Sequence, residues 1–116
     1  ATGTAIGTGS ANTTAIIASQ GAPEPLYAAG LARYYNGGGY TDWFLPSKGE
    51  LKQMYQNKAT INSTATANSG SNFTGDYYWS STELEYSSAW EQYFNNGNQY
   101  YLNKNDTFVV RAVRAF

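Results

Sequence analysis

The sequence predicts an α+β domain: short helices packed on a twisted antiparallel β-meander. Three observations point there. Caps and 3.6-residue apolar spacing are confined to the first half of the chain. Runs rich in Tyr, Trp and Val, separated by Asn/Gly turns, fill the second half. Cysteine is absent, so no disulfide framework replaces a packed core. Helices followed by strands is the α+β pattern, and 116 residues fit a single domain, 1–116.

The elements follow in order. Ala1 to Gly9 is small and Gly/Thr-rich and reads as an extended lead-in. Ser10 or Asn12 offers an N-cap for a helix to about Gln20, with Ile16 and Ile17 as its apolar content. The run Gly21-Ala22-Pro23-Glu24-Pro25 breaks it. A second helix is expected from about Pro25 to Tyr35, its proline in the first turn where the missing N–H costs nothing. Asn36-Gly37-Gly38-Gly39 ends it. Asp42 to Pro46 reads as a short apolar strand. Ser47-Lys48-Gly49-Glu50 fits the capping box of a third helix to about Lys58, with Leu51, Met54 and Tyr55 as its buried stripe. Residues 59–74, rich in Asn, Ser, Thr, Ala and Gly, read as a long surface loop. Tyr77–Ser81, Ala89–Phe94 and Tyr100–Leu102 read as strands, the last two joined through an Asn-Gly hairpin signal in Asn95-Asn96-Gly97-Asn98. Asn103–Asp106 turns again, and Phe108–Phe116 reads as the closing strand.

Composition narrows the function. Hydrophobic residues at 41% and aromatics at 16% supply a core, so global disorder is not expected. Charged residues at 13% are scarce, and Asn, Ser, Thr, Gly and Tyr take their place, a surface common in extracellular binding proteins. A net charge of −1 provides no field to attract nucleic acid or anionic lipid. Neither His nor Cys is present, which removes the commonest general base, the thiol nucleophile and the commonest metal ligands. No apolar run approaches the ~20 residues of a membrane span. No signal peptide is visible, and Ala1-Thr2-Gly3-Thr4 reads as the start of a piece cut from a longer protein.

An ordered set of motifs runs along nearly the whole chain: Ala5-Ile6-Gly7-Thr8-Gly9 with Asn12-Thr13-Thr14, and Gly39 to Ser47 leading to Glu50-Leu51. Then come Tyr78-Trp79-Ser80-Ser81-Thr82-Glu83, Ala89-Trp90, Phe94-Asn95-Asn96-Gly97 and Val110-Arg111-Ala112-Val113-Arg114. In this order the chain resembles the C-terminal domains of Legionella collagen-like proteins. The resemblance implies a C-type-lectin-like architecture, a place at the end of a bacterial surface or phage-type protein, trimers, and binding of sulfated glycosaminoglycans. Fold alone does not fix a ligand.

The candidate residues divide accordingly. Trp43, Phe44, Trp79 and Trp90 lie in apolar strand segments and read as core rather than sugar platforms. Tyr100 and Tyr101 alternate along a strand, so at most one is expected at the surface as a ligand contact. Glu50 is explained by the capping box. Arg111 and Arg114 read as structural, one of them paired with Asp42 or Glu50. The glycan candidates are Arg33, Lys48, Lys52, Lys58 and Lys104, with Lys48 and Lys52 on one helix face. No metal is expected: Asp76, Glu83 and Glu85 make no dense cluster, Glu24-Pro25 is followed by Leu26, and no Trp-Asn-Asp run exists. The sequons at Asn12, Asn62, Asn72 and Asn105 read as chance in an Asn/Thr-rich chain. The expectation is a non-catalytic, extracellular adhesin head without a cofactor. It binds sulfated glycosaminoglycans or other host surface glycans, neither binds nucleic acid nor inserts into membrane, and forms a homotrimer through an upstream stalk. The alternative is a protein-binding or structural tip.

Overall fold

In a computed structural model the protein is described over residues 1–21, 27–85 and 87–115. The elements are α1 (Gly9–Gln20), α2 (Ala28–Tyr34), α3 (Lys48–Gln56), α4 (Lys58–Ala67), β1 (Tyr77–Glu85), β2 (Ser88–Tyr93) and β3 (Gln99–Asn103). The strands form one antiparallel sheet in the order β1-β2-β3. Helices followed by a meander is the α+β arrangement that the sequence predicts.

Alternation along β1 creates two cores. Tyr78 and Trp79 are consecutive, so they point to opposite faces of the sheet. On one face Trp79 and Ala89 join Ile16 of α1, Ala29 and Ala32 of α2, and Leu45. On the other, Tyr78 and Phe94 join Leu51 of α3 and Phe73. The sheet is thus sandwiched between α1–α2 and α3. Phe73 stacks on Phe94 at 4.4 Å and meets Tyr78 edge-on at 5.4 Å, the geometries that aromatic quadrupoles favour.

The Trp79-Ser80-Ser81-Thr82 run has a definite task. The β1–β2 register shifts between Trp79 and Glu83, and the Ser80 hydroxyl fills the gap by donating to the Trp90 carbonyl at 2.7 Å. Thr82 Oγ1 donates to the Gly3 carbonyl at 2.7 Å and accepts from Lys48 N–H at 2.9 Å. Short hydroxyl side chains therefore replace ladder bonds at a bulge, where an apolar residue would leave buried backbone groups unpaired.

Several expectations are corrected. The lead-in is stitched down, not merely extended: Gly3 exchanges two bonds with the Asn12 amide, and Ser47 Oγ donates to the Ala5 carbonyl. Asn12 is thereby taken, and α1 has Thr8, not Ser10 or Asn12, at its N-cap position. α2 begins at Ala28, and residues 22–26, where the Pro25 start was expected, lie outside the described residues. The 42–46 strand reduces to one bridge, Phe44 to Val113, because Pro46 offers no N–H and Ser47 already caps α3. Residues 59–74 are not one loop: Lys58–Ala67 is a helix. Its alanines favour the helix, and Ile61 anchors it by packing on the α3-side core. The closing strand is likewise only bridged, Val109 to Tyr78 and Val113 to Phe44. It changes partner between these points, so no continuous ladder forms. Phe116 lies outside the described residues.

Candidate functional site

The capping box sets the first turn of α3. Ser47 Oγ accepts from Glu50 N–H at 3.2 Å, and Glu50 Oε1 accepts from Ser47 N–H at 2.6 Å. Glu50 Oε2 also accepts from Gly7 N–H at 2.9 Å. Gln99 Nε2 donates to the Lys48 carbonyl at 3.0 Å, so the Lys48 backbone is held by side chains of both β1 and β3. The Lys48 ammonium consequently lies 3.4 Å above the Trp90 ring, a cation–π contact worth about 0.5–1 kcal/mol near the surface. Tyr101 meets Trp90 edge-on at 5.3 Å and is 57% exposed. Lys52 stands one turn farther along α3, exposed. Lys48, Trp90 and Tyr101 therefore share one face, and helical spacing sets Lys52 on the same side of α3 as Lys48.

The other candidate cations are placed elsewhere. Arg33 donates to the Trp43 carbonyl at 2.8 Å, to the Ser10 carbonyl and to Thr14 Oγ1, tying α2 to α1. Lys104 pairs with Glu83. The Lys58 ammonium donates to the Phe94 carbonyl at 3.0 Å and sits over Tyr55. Arg114 makes a two-pronged contact with Asp42 at 2.7 and 3.1 Å, which holds the Asp42 carboxyl below the usual range. The Arg111 guanidinium covers the Phe73 ring at 4.6 Å.

The aromatic residues divide as well. Trp79 is buried, while Trp43 and Trp90 are half-buried. Trp43 stacks edge-on with Tyr35 at 4.8 Å and donates to the Gly37 carbonyl, outside both cores. Both Tyr100 and Tyr101 are exposed. That corrects the expectation of one: β3 is an edge strand, and neither core reaches these two residues. Tyr34, Tyr35 and Tyr40, also exposed, line with Trp43, Phe73 and Arg111 an open groove of 1370 Å³.

One residue with unusual chemistry escaped the sequence-based reasoning. Glu91 is 1% exposed, and neither carboxylate oxygen has a hydrogen-bond partner among the described residues. Burial pushes its carboxyl up to about 7 from an ordinary 4.5, and the charge of Asp106 adds to the rise. The available signal was alternation: Ala89, Glu91 and Tyr93 share one face, and Ala89 belongs to the core.

Among the described residues, no group of three or more acidic side chains is placed to hold a metal ion, and no helix is long and apolar enough to cross a membrane. No curated protein matches the chain significantly. The family model for the Lcl C-terminal domain matches residues 11–114. That match spans nearly all of the chain, both cores and the α3 face included, and the protein therefore belongs to the Lcl C-terminal domain family.

Proposed function

We propose that this domain is a non-catalytic binding head that recognises sulfated glycans of the glycosaminoglycan type through the Lys48–Lys52–Trp90–Tyr101 face. Membership of the Lcl C-terminal domain family points to a domain of a bacterial surface or secreted collagen-like protein and favours an extracellular position and a C-type-lectin-like architecture. The observation that carries the reading is the placement of Lys48 against Trp90 and Tyr101. A sugar ring stacks on an exposed aromatic face through its C–H groups, while adjacent ammonium groups pair with sulfate. Lys48 and Lys52, four residues apart, present two such groups about 6 Å apart at their Cβ atoms. One face of this size binds weakly. Three copies on a trimeric stalk raise the effective concentration enough for stable attachment.

The test is heparin-column elution of the domain beside Lys48→Ala and Lys52→Ala. Retention that is lost as salt rises, and lost earlier in both variants, is the expected outcome. Flow-through of the unmodified domain at low salt sinks the proposal. A protein-binding tip is the second reading, favoured by the exposed Tyr34, Tyr35 and Tyr40 around the groove. It calls for salt-tolerant binding that Lys48→Ala leaves unchanged.

A further inference from the structure

The sheet face opposite Tyr101 carries a second arrangement, built around Glu91. Glu91 lies directly across from Trp79 on β1 and from Tyr100 on β3. Opposite residues of antiparallel strands share a face, and so do residues two apart on one strand. Tyr93 and its cross-strand partner Tyr77 therefore join the same side. Tyr77 and Tyr93 stack at 4.2 Å, and Tyr100 leans on the pair at 6.0 and 6.4 Å. Phe108 closes the side nearer the core, 5.4 Å from Tyr77 and 5.5 Å from Trp79. Glu91 thus shares its side of the sheet with these rings, close enough to Tyr77 for its charge to be felt there.

Such a placement is costly unless something answers it. A buried carboxyl whose two oxygens lack donors is an exception among folded proteins, and its charged form is penalised further. Aromatic ring faces carry negative potential and attract cations. This cluster therefore lacks what one chemical group supplies: a positive charge bearing N–H donors. A primary ammonium places one N–H on each Glu91 oxygen and turns its remaining surface to the rings. A quaternary ammonium has no N–H and leaves the oxygens unanswered. Neutral hydroxyls offer one donor and no charge.

We infer that the Glu91–Tyr77–Tyr93–Tyr100 box is a binding site for a primary ammonium group, borne by a lysine side chain of a partner protein or by an amino sugar. Entry is through Tyr100. It stands on the edge strand, 38% exposed, and its hydroxyl is held by the Asn98 amide at 3.1 Å. Rotation of one exposed side chain opens the box while the stacked Tyr77–Tyr93 wall stays in place. This site is separate from the Lys48 face and calls for the opposite charge, so each stands or falls alone.

Protonation gives the site a signature. The groups facing Glu91 are Tyr77 from β1, Tyr93 from β2, Tyr100 from β3 and Asp106 from the segment after β3. Burial holds the Tyr77 phenol above its ordinary range, and the Asn98 and Asn96 side chains hold that of Tyr100 below it. With its carboxyl raised to about 7, Glu91 must lose a proton before an ammonium pairs with it. Affinity accordingly rises with pH through neutrality and then levels off.

The experiment titrates the intact domain with Nα-acetyl-lysine methylamide and with glucosamine, following the tyrosine ring resonances by NMR at several pH values. Nα,Nε-diacetyl-lysine methylamide and glucose are the uncharged controls. The expected result is saturable movement of the Tyr77, Tyr93 and Tyr100 signals by an amine and not by its control. For the lysine derivative, whose ammonium stays charged, affinity rises roughly tenfold between pH 6 and 8, the effect of ionising a group that titrates near 7; glucosamine, whose ammonium itself loses its proton over this range, is compared at pH 7. The amine that binds more tightly identifies the source. Glu91→Gln, which keeps shape and neutrality, abolishes both the binding and its pH dependence, and Tyr100→Ala weakens the binding. The proposal is overturned if neither amine moves these signals at pH 8, or if Glu91→Gln binds as the unmodified domain does.

Discussion

Replacing Glu91 by glutamine isolates the energetic effect of a buried ionisable group without changing its shape. In the unfolded chain the carboxyl titrates near 4.5, and in the folded domain near 7. Between those values the unfolded chain has released its proton and the folded one retains it. Stability from this group is therefore complete below pH 4.5 and is lost as pH rises toward 7, after which the loss is constant. At about 1.4 kcal/mol per pKa unit, the loss is about 3 kcal/mol, a large part of the stability of a domain this size. Glutamine does not titrate, so the variant escapes this loss. The assay is urea unfolding of both proteins at pH 4.5, 6 and 8. The variant is expected to gain on the unmodified domain by about 3 kcal/mol across this range, with the change concentrated between pH 4.5 and 7. Parallel stability profiles refute the reasoning, since they mean that the folded carboxyl titrates like a solvated one.

Two further outcomes concern the join between α3 and the lead-in. Ser47→Ala removes the capping box and the bond to Ala5, and is expected to cost about 1–2 kcal/mol in thermal unfolding. Gly9→Ala places a methyl group 2.9 Å from the Leu45 carbonyl and against the Glu50 carboxylate. That overpacking is expected to cost roughly 1–3 kcal/mol, measured by the same unfolding assay.

Much of the architecture was legible because local signals agreed with the global fold. Ser47 and Glu50 announce α3, and Leu51, fully buried, confirms its inward face. Asn96-Gly97 announces the β2–β3 turn, where Gly97 takes a φ of 81°. The α4 helix was hidden because Thr, Asn and Ser dilute its alanines, and Ile61 alone gives no apolar stripe. The bridged segments around Phe44 and Val113 look like strands in sequence, yet their pairing is decided by neighbours far along the chain. The same distinction holds for the candidate sites. Pairing Lys48 with Lys52 needs only helical spacing. The union of Lys48 with Trp90 and Tyr101 rests on Gln99 reaching the Lys48 carbonyl across 51 positions. The Glu91 box joins three strands and the turn beyond them, so no window of the sequence contains it.

Glu50 serves three segments at once: its carboxylate accepts from Ser47 and from Gly7, and its bulk closes over Gly9. Unwinding the first turn of α3 therefore also releases the lead-in and the entry to α1. These parts do not fray independently; they open as one cooperative unit. The turn that carries Lys48 thus has an opening energy set by contacts more than forty residues away in sequence, and the proposed binding of a ligand at Lys48 would steady the lead-in without touching it.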